Sequence, residues 1–265
     1  MFYKILYENT YIVDIFTRLF YYLLGVNFMQ LKVLGKYGPY SINGNTSSYI
    51  ILDKIGNVLL DCGSGATKKI LSNNYLENLK FIVLTHLHFD HISDIGVLSY
   101  AINFSSLKRK IKLYLPKEDS DIYRLISSIN CFEIVNIEES KIYFEDGYTF
   151  SFYKMSHPVL CYGIKISNGE KSFAYSGDTT LNDNIKNLVN GVSLALLDGA
   201  FLQKDYAQGK PHMSVKQVCE VSSLYNVKTI LTHLSPNYLD DEVKLECEKF
   251  SKNVIVAKEE EIYEI

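Results

Sequence analysis

Long apolar runs are absent from this chain of 265 residues, although 47% of it is hydrophobic, enough for a sizeable core. No uninterrupted stretch approaches the roughly 20 residues of a membrane-spanning helix, so no membrane span is expected. The most apolar segment, MFYKILYENTYIVDIFTRLFYYLLGVNF at 1–28, is interrupted by Lys4, Glu8, Asp14 and Arg18. It also lacks the basic start, apolar centre and small-residue cleavage site of an export signal. It reads as an accessory, aromatic-rich extension that packs on the domain or on a partner, or lies weakly on a membrane surface. Met29 is the expected functional start, and 29–265 reads as one domain. Cysteine is sparse: Cys62, Cys131, Cys161, Cys219 and Cys247 are an odd number with no CxxC pair. That excludes a disulfide scaffold and fits free thiols in a reducing, cytoplasmic setting. Charge is nearly balanced at -3, which excludes a global basic field for capturing nucleic acid. Arginine is scarce beside lysine, a bias attributed to base composition rather than to function.

Short apolar runs rich in β-branched and aromatic residues recur: MQLKVLG, SSYIILD, NVLLD, FIVLT, IKLYL, YTFSFYKMS, LCYGIKI, SFAYSG, SLALLD, KTILT and NVIVA. The links KIGN and SNGEK are hairpin-like. Helical patterns fall at 64–73, 91–102, 119–128, 181–189, 214–225 and 240–250. Ser214 with Gln217 makes a capping box, and apolar residues at 215, 218, 221 and 224 give that helix a stripe. Hairpins followed by alternating strands and helices predict an α/β protein with helices outside packed sheets.

Histidine is also scarce, with six in the chain, yet three of them lie in THLHFDHISDIG at 85–96. On an extended segment, residues two apart point the same way, so His86, His88 and Asp90 are expected to share a side. His91 follows as the chain turns into a helix and approaches from another direction. Imidazole and carboxylate are the usual donors to borderline metals. Four donors in two directions are too many for one open catalytic ion and suit two ions sharing a neighbourhood. Other strand ends deliver His157, Asp178 and His233, and ligands in α/β proteins gather at the carboxyl ends of strands. Asp178, on the glycine turn YSGDTT, is a candidate bridge because a carboxylate has two oxygens. Alone, a strand-end histidine is ordinarily structural and an Asp after Gly is ordinarily turn chemistry. The His-x-His-x-Asp-His cluster reverses those expectations.

From Met29 onward the chain resembles the metallo-β-lactamase superfamily of dinuclear hydrolases. The resemblance rests on NVLLDCGSGA, THLHFDHISDI, SHPVLCYGIKI, YSGDTT and ILTHLSP. It implies a four-layer αββα sandwich. It also implies one divalent ion on His86, His88, His157 and Asp178 and a second on Asp90, His91, Asp178 and His233, with Asp61 supporting them from behind. The donor set suits Zn²⁺, with Mn²⁺ or Fe as alternatives. LLDGAF…GKPHMSVKQV is similar to a segment of the ribonuclease Z-like branch and places His212 at the reacting phosphate. The expected chemistry is attack by a hydroxide held between the ions. Asp90 would orient the nucleophile. His212 would stabilise developing charge or protonate the leaving oxygen, assisted by the N-terminus of the helix that starts near Ser214.

Departures from relatives narrow the substrate. β-Lactam-opening relatives often carry Cys where Asp178 stands, and oxygen-reducing di-iron relatives carry Glu where His88 stands. Ribonuclease Z has a tRNA-gripping arm between its third histidine and bridging aspartate; only about 20 residues separate His157 from Asp178. The expectation is a phosphodiesterase acting on small phosphodiesters such as cyclic nucleotides or short oligonucleotides. RNA, through ribonuclease Z-type processing, is the less favoured partner. Lactone, thioester or sulfate-ester hydrolysis is a further alternative, as is a metal-bearing sensor without turnover. Relatives often form homodimers, which leaves a homodimer open for this chain. The loops near 36–47, 100–110 and 200–212 are expected to shape specificity, with Gln203, Lys204, Tyr206 and Lys210 facing solvent or, as the less favoured reading, contacting a substrate phosphate.

Overall fold

The computed structural model describes residues 28–107 and 109–265. The predicted accessory segment falls, except for Phe28, outside the described residues. Two seven-stranded sheets pack face to face, with helices on both outer surfaces. This is the expected αββα sandwich.

The first sheet begins with β1 (Met29–Gly35), β2 (Ser48–Asp53) and β3 (Asn57–Leu60), joined as an antiparallel meander. It then runs parallel through β4 (Leu79–Val83), β5 (Ile111–Leu115) and β6 (Phe132–Asn136). Helix α1 (Ala66–Ser72) crosses from β3 to β4. Helices α2 (Phe89–Ile92) and α3 (Ile95–Phe104) cross from β4 to β5, and α4 (Asp121–Ser127) from β5 to β6. The second sheet repeats the plan. β7 (Ile142–Glu145), β8 (Tyr148–Lys154), β9 (Tyr162–Ser167) and β10 (Ser172–Tyr175) are antiparallel. Parallel strands β11 (Leu194–Asp198), β12 (Lys228–Thr232) and β13 (Val254–Val256) follow, linked by α5 (Asp183–Val189), α6 (Val215–Leu224) and α7 (Asp240–Phe250). A last strand, β14 (Ile262–Glu264), returns to the edge beside β1.

The central strands read as unbroken apolar runs because both of their faces are covered. In β4, Phe81 and Val83 face the space between the sheets, while Leu79 and Ile82 face the helices. In β11, Leu194 and Leu196 point inward while Ala195 and Leu197 meet the outer helices. The inter-sheet layer is aromatic. Phe81 stacks on Phe150 at 5.0 Å, and Tyr143 on Phe150 at 5.3 Å, tying β4 to the β7–β8 hairpin. Such pairs add roughly 0.5–1.5 kcal/mol each beyond burial.

Five elements differ from expectation. The helix expected at 91–102 is two pieces, α2 and α3, broken at Ser93–Asp94, where the Asp94 carboxylate accepts from Thr67 N of α1. β6, β7 and β14 were not anticipated, because FEIVN, IYFE and IYE are short edge or near-edge strands with an interspersed charge. In α6 the capping box is formed as expected, and Val215, Val218 and Val221 are buried, but Leu224 is exposed. Cys219 and Ser222 complete that face instead. Among the described residues no helix is long and apolar enough to cross a membrane.

Candidate metal centre and active site

The carboxyl ends of β3, β4, β8, β10, β11 and β12 converge at one end of the sandwich. There they bring together Asp61, His86, His157, Asp178, Asp198 and His233. The parallel strands of both sheets point the same way, so residues distant in sequence meet at their ends. His88, Asp90 and His91 arrive on α2. His88 is its extended N-cap, and Asp90 and His91 occupy its first turn. The chain therefore becomes helical at Phe89, earlier than the extended reading assumed. This corrects the side expected for Asp90: it parts from His86 and His88 and joins His91.

Among the described residues, two groups of donor atoms match the two expected ions, and a third set, Asp178, Asp198, His212 and His233, overlaps the second. Nε2 of His86 and Nε2 of His157 each lie 3.1 Å from Nδ1 of His88. The Asp178 Oδ2 atom is 3.5 Å from His86 Nε2 and 3.8 Å from His157 Nε2. In the second group, His91 Nε2 is 3.5 Å from Asp90 Oδ2 and 3.2 Å from Asp178 Oδ1. His233 Nε2 is 3.2 Å from both Asp90 Oδ2 and Asp178 Oδ2. Donors about 2.0–2.1 Å from one tetrahedral ion stand about 3.4 Å apart, so both groups have suitable spacing. Asp178 belongs to both, as a bridge must.

The chemistry of the donors fits cations. His91 Nε2 and Asp178 Oδ1 are buried without a hydrogen-bond partner. His91 Nδ1 gives its proton to Asp61 Oδ2 at 2.7 Å, so in the neutral ring Nε2 is a lone pair facing a carboxylate oxygen. Two such acceptors repel unless a cation or proton lies between them. Four carboxylates (Asp61, Asp90, Asp178 and Asp198) are buried here. Two divalent ions would balance their charge, and buried charge without compensation is costly. Burial holds His86 well below the usual imidazole range, so it offers a lone pair. Burial opposes ionisation of Asp178, yet the surrounding histidines hold it well below the usual carboxylate range.

Supporting hydrogen bonds fix which imidazole nitrogen faces inward. Asp61 is fully buried and has a positive φ of 55°, a strained geometry that aims its carboxylate at the back of the site. It accepts from Thr85 N at 2.7 Å, from Thr85 Oγ1, from Tyr175 Oη at 2.7 Å and from His91 Nδ1. Thr85 Oγ1 lies 3.1 Å from His86 Nδ1, and the Pro211 carbonyl lies 3.3 Å from His157 Nδ1. His233 also has a positive φ, 56°, and Gly38 packs against it so closely that a Cβ there would lie 2.0 Å from Nε2. The loop 36–47 is thus held over His233.

His212 stands at the partly open side, stacked 4.7 Å from the His233 ring. Its Nδ1 lies 2.8 Å from Asp198 Oδ2. Burial would lower its pKa, but the charge and hydrogen bond of Asp198 and the charge of Asp178 outweigh burial and raise it to about 9.

Comparison with known proteins agrees with this geometry. Residues 56–234 match the β-lactamase superfamily domain. The chain belongs to the metallo-β-lactamase superfamily.

Among relatives in this superfamily, the probable metallo-hydrolase YhfI of Bacillus subtilis is 26% identical over 89% of this chain and 100% of its own length. The crystal structure of YhfI superposes with a TM-score of 0.82 over 89% of this chain and 99% of that one, at 24% identity. Ribonuclease Z of Saccharolobus islandicus is 27% identical over 75% of this chain and 86% of its own length. A diphosphatase of the PhnP family shares the fold, with a TM-score of 0.72 at 17% identity over 89% of this chain and 97% of that one. The protein is a metallo-hydrolase of this superfamily.

Within the superfamily frame, the ligand, catalytic and supporting residues named from the sequence lie in this one cluster. One was missed. Asp198 ends β11 in LLDGAF, where a buried strand finishes on a charge. Besides His212, it accepts from Thr179 N at 2.9 Å. Its signal was that charge at the end of an apolar strand. One expectation is corrected. The N-terminus of α6 offers less than expected, because the amides of Ser214, Val215 and Gln217 already donate to the Gln217 side chain, the Phe201 carbonyl and the Ser214 side chain. Lys204 pairs with Glu242 and Lys210 lies 5.2 Å over the Phe201 ring.

Proposed function

We propose that the protein is a dinuclear metal-dependent phosphodiesterase acting on small phosphodiesters such as cyclic nucleotides or short oligonucleotides. His86, His88, His157 and Asp178 would hold one ion, and Asp90, His91, Asp178 and His233 the other, with Zn²⁺ favoured by the donor set. When bound, the ions supply an activated water and neutralise charge on the reacting group. Asp90, with Oδ2 turned into the site beside His233 Nε2, orients the attacking water.

The observation that carries the phosphodiester reading is the His212–Asp198 pair. A site that only binds metal needs no such partner. Asp198 Oδ2 accepts a hydrogen bond from Nδ1–H of His212, which holds the charged ring beside the centre, with Nδ1 3.9 Å from Asp178 Oδ2. There it donates to the developing negative oxygen or protonates the leaving alkoxide. Two similar proteins, a ribonuclease and a diphosphatase, act at phosphate, which supports the choice.

A small substrate is favoured over tRNA. Between His157 and Asp178 the chain forms only the β9–β10 hairpin, with no room for an arm. Of the three arginines in the sequence, Arg109 binds the carbonyls of Leu79 and Lys80 at the opposite end of β4. Arg124 is paired with Asp119 and Asp121 on α4. Neither is placed to hold a phosphate chain.

The test is turnover of bis(p-nitrophenyl) phosphate by metal-loaded protein, beside a lactone and a thioester. Diester hydrolysis with about two metals per chain, abolished in Asp178→Ala and reduced roughly 10²–10⁴-fold in His212→Ala with metal retained, is the expected result. Metal-loaded protein that opens only the lactone or thioester refutes it.

A further inference from the structure

The segments that carry the site present exposed or half-exposed aromatic residues, while their lysines Lys36, Lys204 and Lys210 are engaged. Phe89 stands between His88 and Asp90 in the metal motif and is 71% exposed. Its neighbours explain why. Asp90, His91 and Ile92 of α2 turn into the protein and are buried, which leaves Phe89 as the residue of that turn facing water. Its backbone is fixed because the His91 amide donates to the His88 carbonyl and the Ser93 amide to the Phe89 carbonyl. The loop held over His233 by Gly38 carries Tyr40, 51% exposed, and Ile42, 69% exposed. On the third side, Phe201 lies 5.9 Å from the His212 ring. The cations of the same segments are engaged: Lys210 sits on Phe201, and Lys36 is buried against Asp240.

Resting on the phosphodiesterase reading, we propose that Phe89 is a specificity residue. It is the stacking platform for an aromatic group esterified to the substrate phosphate, a nucleobase in the first instance, with the Tyr40–Ile42 loop bordering the same seat. An exposed phenyl ring on a rigid backbone loses little freedom when a flat ring covers it, and every base presents a π-face. The phosphate would then lie over the histidines while the base rests outside them. Scattered exposed apolar residues are ordinary on proteins. Here they lie on three segments that each reach the centre: Phe89 between His88 and Asp90, the Tyr40–Ile42 loop through Gly38 on His233, and Phe201 beside His212.

The test compares binding of thymidine 5′-monophosphate and methyl phosphate to metal-loaded full-length protein by calorimetry, in wild type, Phe89→Ala and Phe89→Trp. Base stacking predicts that wild type prefers the nucleotide by about 5- to 150-fold, with a one-sided platform near the lower end. Phe89→Ala should erase that preference while methyl phosphate binds as before, and Phe89→Trp should restore it. Equal weakening of both ligands, or no change in either, overturns the assignment. A protein that hydrolyses no diester but keeps the Phe89-dependent preference retains the seat and removes the phosphodiesterase reading. Diester hydrolysis with a Phe89-independent preference retains the reading and removes the seat.

Discussion

Replacing Asp61 by Asn is the sharpest test of how the site is held. The substitution keeps shape and volume but removes one acceptor and the charge. Asp61 Oδ1 accepts the fixed Thr85 amide at 2.7 Å, and Oδ2 accepts His91 Nδ1 and Tyr175 Oη, each at 2.7 Å. Asn has one oxygen, and the backbone amide at Thr85 cannot turn away, so that oxygen takes the Oδ1 place. The NH₂ group then faces the Tyr175 hydroxyl and the His91 ring. His91 accommodates it only by accepting at Nδ1, which moves its proton to Nε2, the atom aimed at Asp178. The second donor group thereby loses a lone pair. Losing a partner behind a metal-binding histidine typically costs 10–100-fold in metal affinity. Each buried polar group left badly paired costs roughly 1–3 kcal/mol of stability. Metal content after graded chelation, followed by thermal unfolding of the metal-free protein, reads both effects. The expected result is loss of one metal per chain before the other, a lower Tm and little activity. A variant that keeps both metals at wild-type affinity would refute the tautomer argument.

Further outcomes follow from the same geometry. Gly38→Ala places a methyl carbon on the His233 Nε2 face and should impair the second donor group far more than the fold, since overpacking costs about 1–3 kcal/mol; an active, fully metallated variant contradicts this. Asp198→Asn should lower turnover on a phosphodiester and shift its alkaline limb, because the raised pKa of His212 depends on that carboxylate; an unchanged pH profile would remove Asp198 from the mechanism. Glu260 bears on stability. Burial opposes its ionisation, but Lys69 and Lys32 outweigh burial and lower its pKa. Its contribution is therefore present above the unfolded carboxylate range and fades as pH falls through the lowered value. Partial exposure limits it to under about 1 kcal/mol. Lys69→Met should flatten the acid side of the stability curve, which denaturant melts between pH 3 and 7 would detect.

The sequence alone determined the layer architecture, because unbroken apolar runs separated by amphipathic helices have few ways to bury both faces of a sheet. It also determined the candidate centre, since THLHFDH concentrates donors that only metal chemistry readily explains. The isolated residues His157, Asp178 and His233 took their meaning from that cluster rather than from their own surroundings. Tertiary structure decided what depends on distance between strand ends. It started α2 at Phe89, which overturns the extended geometry and is how Asp90 reaches the group with His91 that the resemblance implied. It paired Asp198 with His212 across 14 residues, and showed the amides of Ser214, Val215 and Gln217 already engaged. It also left Phe89 facing water, a consequence of one helical turn whose other residues face inward. Periodicity reports which face of an element is covered. It carries no information about which strand ends meet, and that meeting creates the site.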